Sequence, residues 1–473
     1  MQLLDLLDKD HKVQMRVMNY FLQKGPRVKI KELNEHMDVS YPTLQKTLNG
    51  LHLSLHHFNK EASLDKKSSD VFQLVLPSNF SVQHFFYTYL EQSLNYMILI
   101  NLFYEKEISI TKLAQKNNLS EASVFRRLKT INHMLAEFDI QFKNKKLTGK
   151  QLQIQRFYFQ LFYKTVPRDH FIHLTTNDAI NNLITVLKRE FQLHLSKKQE
   201  QMLSLQLHIM QQRLDYRQPA KNEVAHNRRQ QIEKDPFYQE LKNILTRFFS
   251  RFALPGADNE ALQLYLFFIS EGLLPYENKW GQRSSLFHYF LTINQKIYQT
   301  ITQKKAYDPT FTSFLLQNHV KITFYKGEIH PNENHALLLS DIDPNTMNQC
   351  MSIVEKSLTR KISHSQWVML DASYGLIYDI YQRRLQKEVL IGVIDDGSLE
   401  AEEIMRFIKQ SLAGMANITI KKAKKRNYDL LVAKDVSDLQ SLSYTQSYLL
   451  TGVLSSFEAQ RLKDAVQKII QEK

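Results

Sequence analysis

The chain has 473 residues, 43% of them hydrophobic, one cysteine and a formal net charge of +14; that length suggests about three domains, or more if some are small winged helices. Lone Cys350 excludes an intrachain disulfide framework and a thiolate zinc cluster, and suits a reducing cytoplasm. No run of ~18 apolar residues exists to span a membrane, and the N-terminal M-Q-L-L-D-L-L-D-K-D lacks the basic-then-apolar order of a signal peptide, so a cytoplasmic protein is expected. The positive balance favours a polyanionic partner, and residues 1–165 alone carry 23 Lys/Arg against 15 Asp/Glu.

The first expected domain, 1–82, reads as a winged helix-turn-helix. Val17, Met18, Tyr20 and Leu22 suit one helix, and Leu33-Asn34, Val39-Ser40, Thr43-Leu44, Leu48 and Leu51 the next two. The last of these should end near Leu55, with Pro42 tolerated in its first turn. Its outward face carries Tyr41, Thr43, Gln45, Lys46 and Asn49. Val71, Leu74 and Leu76 then suit a strand, Lys66-Lys67 a hairpin tip, and Pro77 ends the unit. Such a wing adds affinity by setting lysines beside phosphates.

The same slots are filled again 80 positions on, in an expected second domain at 83–156. Met97, Ile98, Ile100 and Leu102 match the preceding helix; Leu113-Ala114 suit a short helix and Asn117-Asn118 a tight turn. Ser120 stands where an N-cap belongs, and Val124, Leu128 and Ile131 recur at i, i+4 and i+7 as one buried stripe. Ser123, Phe125, Arg126, Arg127 and Lys129 are the candidate DNA contacts on this helix, which has the pattern of one that enters a major groove. Arg126 is the first choice for reading bases, since Arg on guanine is the commonest specific contact. Lys143, Lys145, Lys146 and Lys150 surround an expected wing turn at Gly149 and suit phosphates.

Long amphipathic helices follow, in two expected bundles at 157–277 and 278–385. D-P-F-Y at 235–238, F-A-L-P at 252–255, Glu260 and Y-L-F-F at 265–268 resemble the phosphotransferase-system regulation domain, an all-helical module. The tail, 386–473, reads as a small parallel sheet with helices between strands V-L-I-G-V-I-D, I-T-I-K-K-A, Y-D-L-L-V-A-K-D and Y-L-L-T-G-V-L. It resembles an enzyme IIB domain of a sugar transporter, yet its first loop, D-D-G-S, lacks the reactive cysteine of those domains, which leaves a structural or dimerising role.

Taken together, two tandem winged helices, two helical regulation domains and an α/β tail resemble the Mga/AtxA family of Gram-positive virulence regulators. The resemblance implies a DNA-binding transcriptional activator that answers to carbohydrate status. It implies double-stranded DNA, RNA polymerase and sugar-transport phosphocarriers as partners. A homodimer or higher oligomer is expected from the tail, left with surface interaction as its use, and from two-fold dimers being the commonest assembly. Residue by residue, it makes His319 and His208 the candidate phosphorylation sites, while Phe267 and Phe268 stand after Glu260 where related domains place another histidine.

No phosphate-loop, dinucleotide-binding, H-E-x-x-H or G-x-S-x-G motif is present, so no enzyme, cofactor or metal is expected. Asp395-Asp396 after a strand reads as an acidic turn or, less readily, as a phospho-acceptor or metal pocket. Two other readings stay open: an RNA-binding antiterminator, since similar regulation domains control those proteins, and a sugar-transport scaffold without DNA binding.

Overall fold

The computed structural model describes residues 1–472 apart from 106, 172–176, 215–223, 252–256, 304–310, 331–341, 359–360, 386–387, 396, 416, 425 and 441. The F-A-L-P segment, Asp396 and much of the polar loop after Leu214 thus lie outside the described residues. The chain is mainly helical and forms two compact units, Met1–Leu339 with Asp343–Ser373, and Ser340–Ile342 with Tyr374–Lys473. Among the described residues no helix is long and apolar enough to cross a membrane.

The first unit opens with α1 (Lys9–Lys24), β1 (Arg27–Lys29), α2 (Ile30–Met37), α3 (Tyr41–Phe58), β2 (Ser63–Lys66) and β3 (Val71–Val75). The strands form an antiparallel sheet in the order β1-β3-β2, with Val28 opposite Phe72 and Leu64 opposite Leu74. Val17, Met18, Leu33, Leu44, Leu48 and Leu51 are all buried between the helices. Full burial of such side chains stabilises by about 1.5–3 kcal/mol each. The helix α3 runs one turn past Leu55, to Phe58, whose ring packs edge-on against Phe80 and Phe85.

The repeat is α4 (Val82–Gln92), α5 (Leu94–Tyr104), α6 (Ile110–Lys116), α7 (Glu121–Ala136), β4 (Ile140–Lys143) and β5 (Lys146–Gly149). Ile30 and Ile110 open the first helix of each motif, and Tyr41 and Glu121 open the second. The turns between them place Asp38 and Asn118 in the left-handed region at φ 49° and 52°, a conformation these short polar side chains tolerate. Where the first winged helix has β1, the described residues of the second show the backbone bond from Ile108 N–H to the Lys145 carbonyl at 3.0 Å.

The second wing turns at Asn144-Lys145, not at Gly149 as the composition suggested. Both Asn144 and Lys145 have positive φ, as a two-residue hairpin turn of type I′ requires. Gly149 instead ends β5 opposite Ile140, where a Cβ would lie 2.9 Å from the Asp139 carbonyl oxygen. A glycine was needed there for close approach, and the turn itself used a pair without one.

Helix α8 (Gln151–Thr165) leaves the second wing directly and is buried along most of its length. The expected domain boundary at 156/157 falls inside it. Two of its glutamines tie it to the chain at the end of Thr312–Phe324 and beyond: Gln153 donates to the Phe324 carbonyl at 2.8 Å, and Gln160 accepts from Ile329 N at 2.8 Å through its oxygen. Lys197–Gln212, Asp258–Ser270 and Thr312–Phe324 pack against it, and the same unit includes Pro236–Ser250 and Ser285–Thr302. The D-P-F-Y motif acquires a physical role here. Asp235 Oδ1 caps Pro236–Ser250 by accepting from Phe237 N at 2.9 Å, while its Oδ2 accepts from Ser285 N at 2.6 Å and Tyr265 Oη at 2.7 Å. One carboxylate therefore holds the N-termini of two helices. Glu260, Phe267 and Phe268 are buried in Asp258–Ser270.

The second unit contains a four-stranded parallel sheet ordered β7-β6-β8-β9, built from β6 (Val389–Val393), β7 (Ile418–Lys422), β8 (Asn427–Ala433) and β9 (Ser443–Leu449). Its core joins Val389, Ile391 and Val393 to Leu462 and Val466 of the helix Ser456–Glu472. The last strand lies earlier than the apolar run Tyr448–Leu454 suggested. It is an edge strand, half of it open to solvent, so polar Ser443, Thr445 and Gln446 belong to it and the apolar residues after Leu449 do not. Asp395 is engaged rather than open, in an ion pair with Lys422 Nζ at 2.5 Å and a bond from Gly397 N at 3.0 Å.

Candidate nucleic-acid interface

Helix α7 is built to present one face. Ser120 caps it, accepting from Ser123 N at 3.2 Å, and Val124, Leu128 and Ile131 sink its inner stripe. Phe125, Arg126, Lys129 and Thr130 are left exposed along the opposite side, Phe125 with 55% of its surface open. A single exposed apolar ring is ordinary on a protein surface, but beside two basic side chains it is placed for contact with nucleotides. The Arg126 guanidinium donates to Ser123 Oγ at 3.1 Å, and Ser123 Oγ lies 2.9 Å from Ser120 Oγ, so arginine and serines form one chain at the start of the helix. Arg126 also borders a cleft of about 620 Å³ together with Asp8, Met97, Asn117 and Arg127.

The sequence-derived contacts separate into two groups. Arg126, Lys129, Phe125 and Ser123 share the outer side of α7, and Lys143, Lys145 and Lys150 stand exposed on or beside its wing. Arg127 is turned inward and half-buried, with its guanidinium 2.7 Å from Asp8 at the start of α1. Lys146, also in the wing, pairs with Glu107 at 3.0 Å. In the first unit Tyr41, Thr43, Gln45 and Lys46 are all exposed on α3, but Lys46 lies 3.4 Å from Asp10. Ser40 and Thr43 there repeat the hydroxyl contact of Ser120 and Ser123, at 2.8 Å.

Two positions that hold the wings were not recognised from the sequence. Asn132 of α7 bonds both backbone groups of Phe142 in β4, at 3.0 Å and 2.6 Å. His52, 80 residues earlier on α3, bonds the Leu64 carbonyl of β2 with Nδ1 at 3.0 Å. Each recognition helix thus carries its own wing. The available signal was a polar side chain bordering the apolar stripe, at the same slot in both repeats.

The two winged helices are joined through the N-terminal segment and α4. His11 stacks on Tyr89 with ring centroids 4.1 Å apart, Tyr89 donates to Gln14 Oε1 at 2.5 Å, and Ser93 donates to the Leu6 carbonyl.

Both candidate phosphorylation histidines lie inward. His319 is 1% exposed, with Nδ1 2.6 Å from Asn294 Oδ1, and burial pushes its pKa down to about 3. His208 faces Phe103, has a buried Nε2 without a partner and is likewise lowered by burial. Of the bases near His319 in sequence, Lys321 is already paired with Glu271 at 3.3 Å.

Residues 78–162 match the family model for the Mga helix-turn-helix domain. The match covers α4 to most of α8, and so contains α7 and its wing. No curated protein matches the chain.

Proposed function

We propose that the protein is a transcriptional regulator that binds duplex DNA through its two winged helices, with α7 as the principal reading helix. The observation that carries this reading is the coincidence of the Mga-type match with the helix that exposes Phe125, Arg126 and Lys129. In this reading Arg126 reads base edges, and Lys129, Lys143, Lys145 and Lys150 hold phosphates. The first unit, less basic on its helix and with Lys46 paired, contributes affinity through Gln45, Tyr41 and the Lys66-Lys67 wing.

The finer parts of the proposal are activation of transcription through RNA polymerase, control of virulence or carbohydrate genes in the cytoplasm, and work as a homodimer or higher oligomer. Control by sugar-transport phosphocarriers also belongs to it. Phosphoryl transfer to His319 then requires the helices Ser285–Thr302 and Thr312–Phe324 to part, because the ring is enclosed between them.

The test is a mobility shift with duplex DNA, hairpin RNA and no nucleic acid at several salt concentrations. Preferential retardation of duplex with a steep salt dependence supports the reading. Preferential binding of hairpin RNA points to an antiterminator, and absence of both to an interaction scaffold.

A further inference from the structure

His84, Asp169 and His170 converge on one side of the second winged helix, although 85 residues separate the first from the second. His84 belongs to α4 and the other two to the turn that follows α8. His84 Nε2 lies 3.0 Å and 3.1 Å from the two carboxylate oxygens of Asp169, and His170 Nε2 lies 4.0 Å from Asp169 Oδ2. All three ligand atoms fall within 4.8 Å of one another. From the geometry we infer a binding site for a divalent transition metal of the zinc class, with these three side chains as ligands.

Four features of the chemistry support it. Donor atoms around a tetrahedral zinc at ~2.0–2.1 Å stand roughly 3.3 Å apart. His84 and Asp169 already stand at 3.0 Å, and His170, 4.0 Å from Asp169, would have to close on the ion by a side-chain adjustment. The donor set of two imidazoles and one carboxylate is one that zinc accepts, and it leaves a fourth position for water. His84 has a supporting partner: Ser81 Oγ is 2.7 Å from its Nδ1, which orients the ring and leaves Nε2 for the metal. The ligands are partly or fully solvent-accessible, so an ion has a path in. A bound ion would fasten α4, the entry helix of the second DNA-binding unit, to the turn where α8 ends. Metal binding would stabilise the folded form in proportion to the logarithm of its free concentration.

The site is tested on the full-length protein, stripped with a chelator and titrated with Zn²⁺ by calorimetry and with Co²⁺ by visible absorption. One equivalent should bind, with the intense visible bands of tetrahedral cobalt and a rise in melting temperature on zinc addition. His170→Ala leaves the His84–Asp169 pair in place, so a merely structural ion pair would tolerate it. A metal site would lose at least tenfold in affinity, and His84→Ala would lose as much. Failure of the wild-type protein to take up one equivalent overturns the inference. So does uptake that His170→Ala and His84→Ala leave unchanged, which would place the ion among other histidines of the chain.

Discussion

Arg127 of the second recognition helix lies 2.7 Å from Asp8, at the start of the first helix of the first winged unit. A residue expected from the sequence to contact DNA thus fixes one winged unit against the other. The consequence is that Arg127→Ala and Asp8→Asn should weaken duplex binding to a similar extent, measured by fluorescence anisotropy. Because the pair is about one-third exposed, either change should alter stability by no more than about 1 kcal/mol. A phosphate-contacting Arg127 would behave differently: Asp8→Asn removes a negative charge and would then leave affinity equal or higher.

Arg126 and Lys129 project from the same helix with no acidic partner among the described ion pairs. Replacing Arg126 with Ala should cost about 1–3 kcal/mol of binding and relax preference at one base position. Lys129→Ala, or Lys143→Ala in the wing, should instead lower the salt slope by about one without changing sequence preference. The pair Gln45→Ala and Lys46→Ala should matter less, since Lys46 already neighbours Asp10. Unchanged affinity in a folded Arg126→Ala, Lys129→Ala double variant would move the reading surface away from α7.

The repeat was legible because helix spacing and turn chemistry are local. Val124, Leu128 and Ile131 report a buried stripe by period alone, and Asn118 reports the turn. What escaped was pairing between distant parts. Nothing near Arg127 in the chain announces Asp8, and nothing near Asp235 announces that Ser285 will share its carboxylate. The wing turn was misplaced because glycine marks both turns and close approaches, and Gly149 serves the latter. The edge strand β9 was misplaced because solvent on one side lets polar residues alternate into a strand that the reading as a fully buried parallel strand expects to be continuously apolar.

His319 gives a sharper expectation about control. Its ring is 1% exposed and bonded to Asn294, so in the native protein it should resist diethyl pyrocarbonate while the exposed His170 reacts. Mass spectrometry after brief labelling reads both sites at once. The ordinary histidine pKa is 6.5, and burial holds this one near 3. Below pH 6.5 the unfolded chain therefore takes up a proton that the folded chain refuses. The stabilising contribution of the buried neutral ring is full above pH 6.5 and is lost as pH falls towards 3. Rapid native labelling of His319, or ready phosphorylation by a phosphocarrier without any opening of the helices, would contradict the enclosed position.

The last expectation concerns the ion network under α8. Arg156, 5% exposed, lies 2.7 Å from Glu271 and 3.8 Å from Glu328; Lys321 reaches Glu271 at 3.3 Å and Lys164 reaches Glu328 at 2.7 Å. These residues come from α8, from the end of Asp258–Ser270, from Thr312–Phe324 and from the segment after it, so the network holds the helix leaving the DNA-binding unit among the helices beyond. Burial alone would raise the Glu328 carboxyl, but Lys164 and Arg156 outweigh that and hold it at about 2, below its ordinary 4.5. Burial opposes ionisation of Glu271 too, and Lys321 and Arg156 hold it low. A carboxylate depressed in the folded state stabilises above its unfolded pKa, and that stabilisation is lost as pH falls through the folded one. For Glu328 the window runs from about pH 4.5 down to about 2. Glu271→Gln, which leaves Arg156 without its nearest charge, should cost about 3–5 kcal/mol at neutral pH. Glu328→Gln should lower neutral-pH stability as well and flatten its dependence on pH between about 4.5 and 2, as followed by urea unfolding across that range. A variant curve that stays parallel to wild type through the acid window would show that other carboxylates carry the acid sensitivity and that α8 is held by packing.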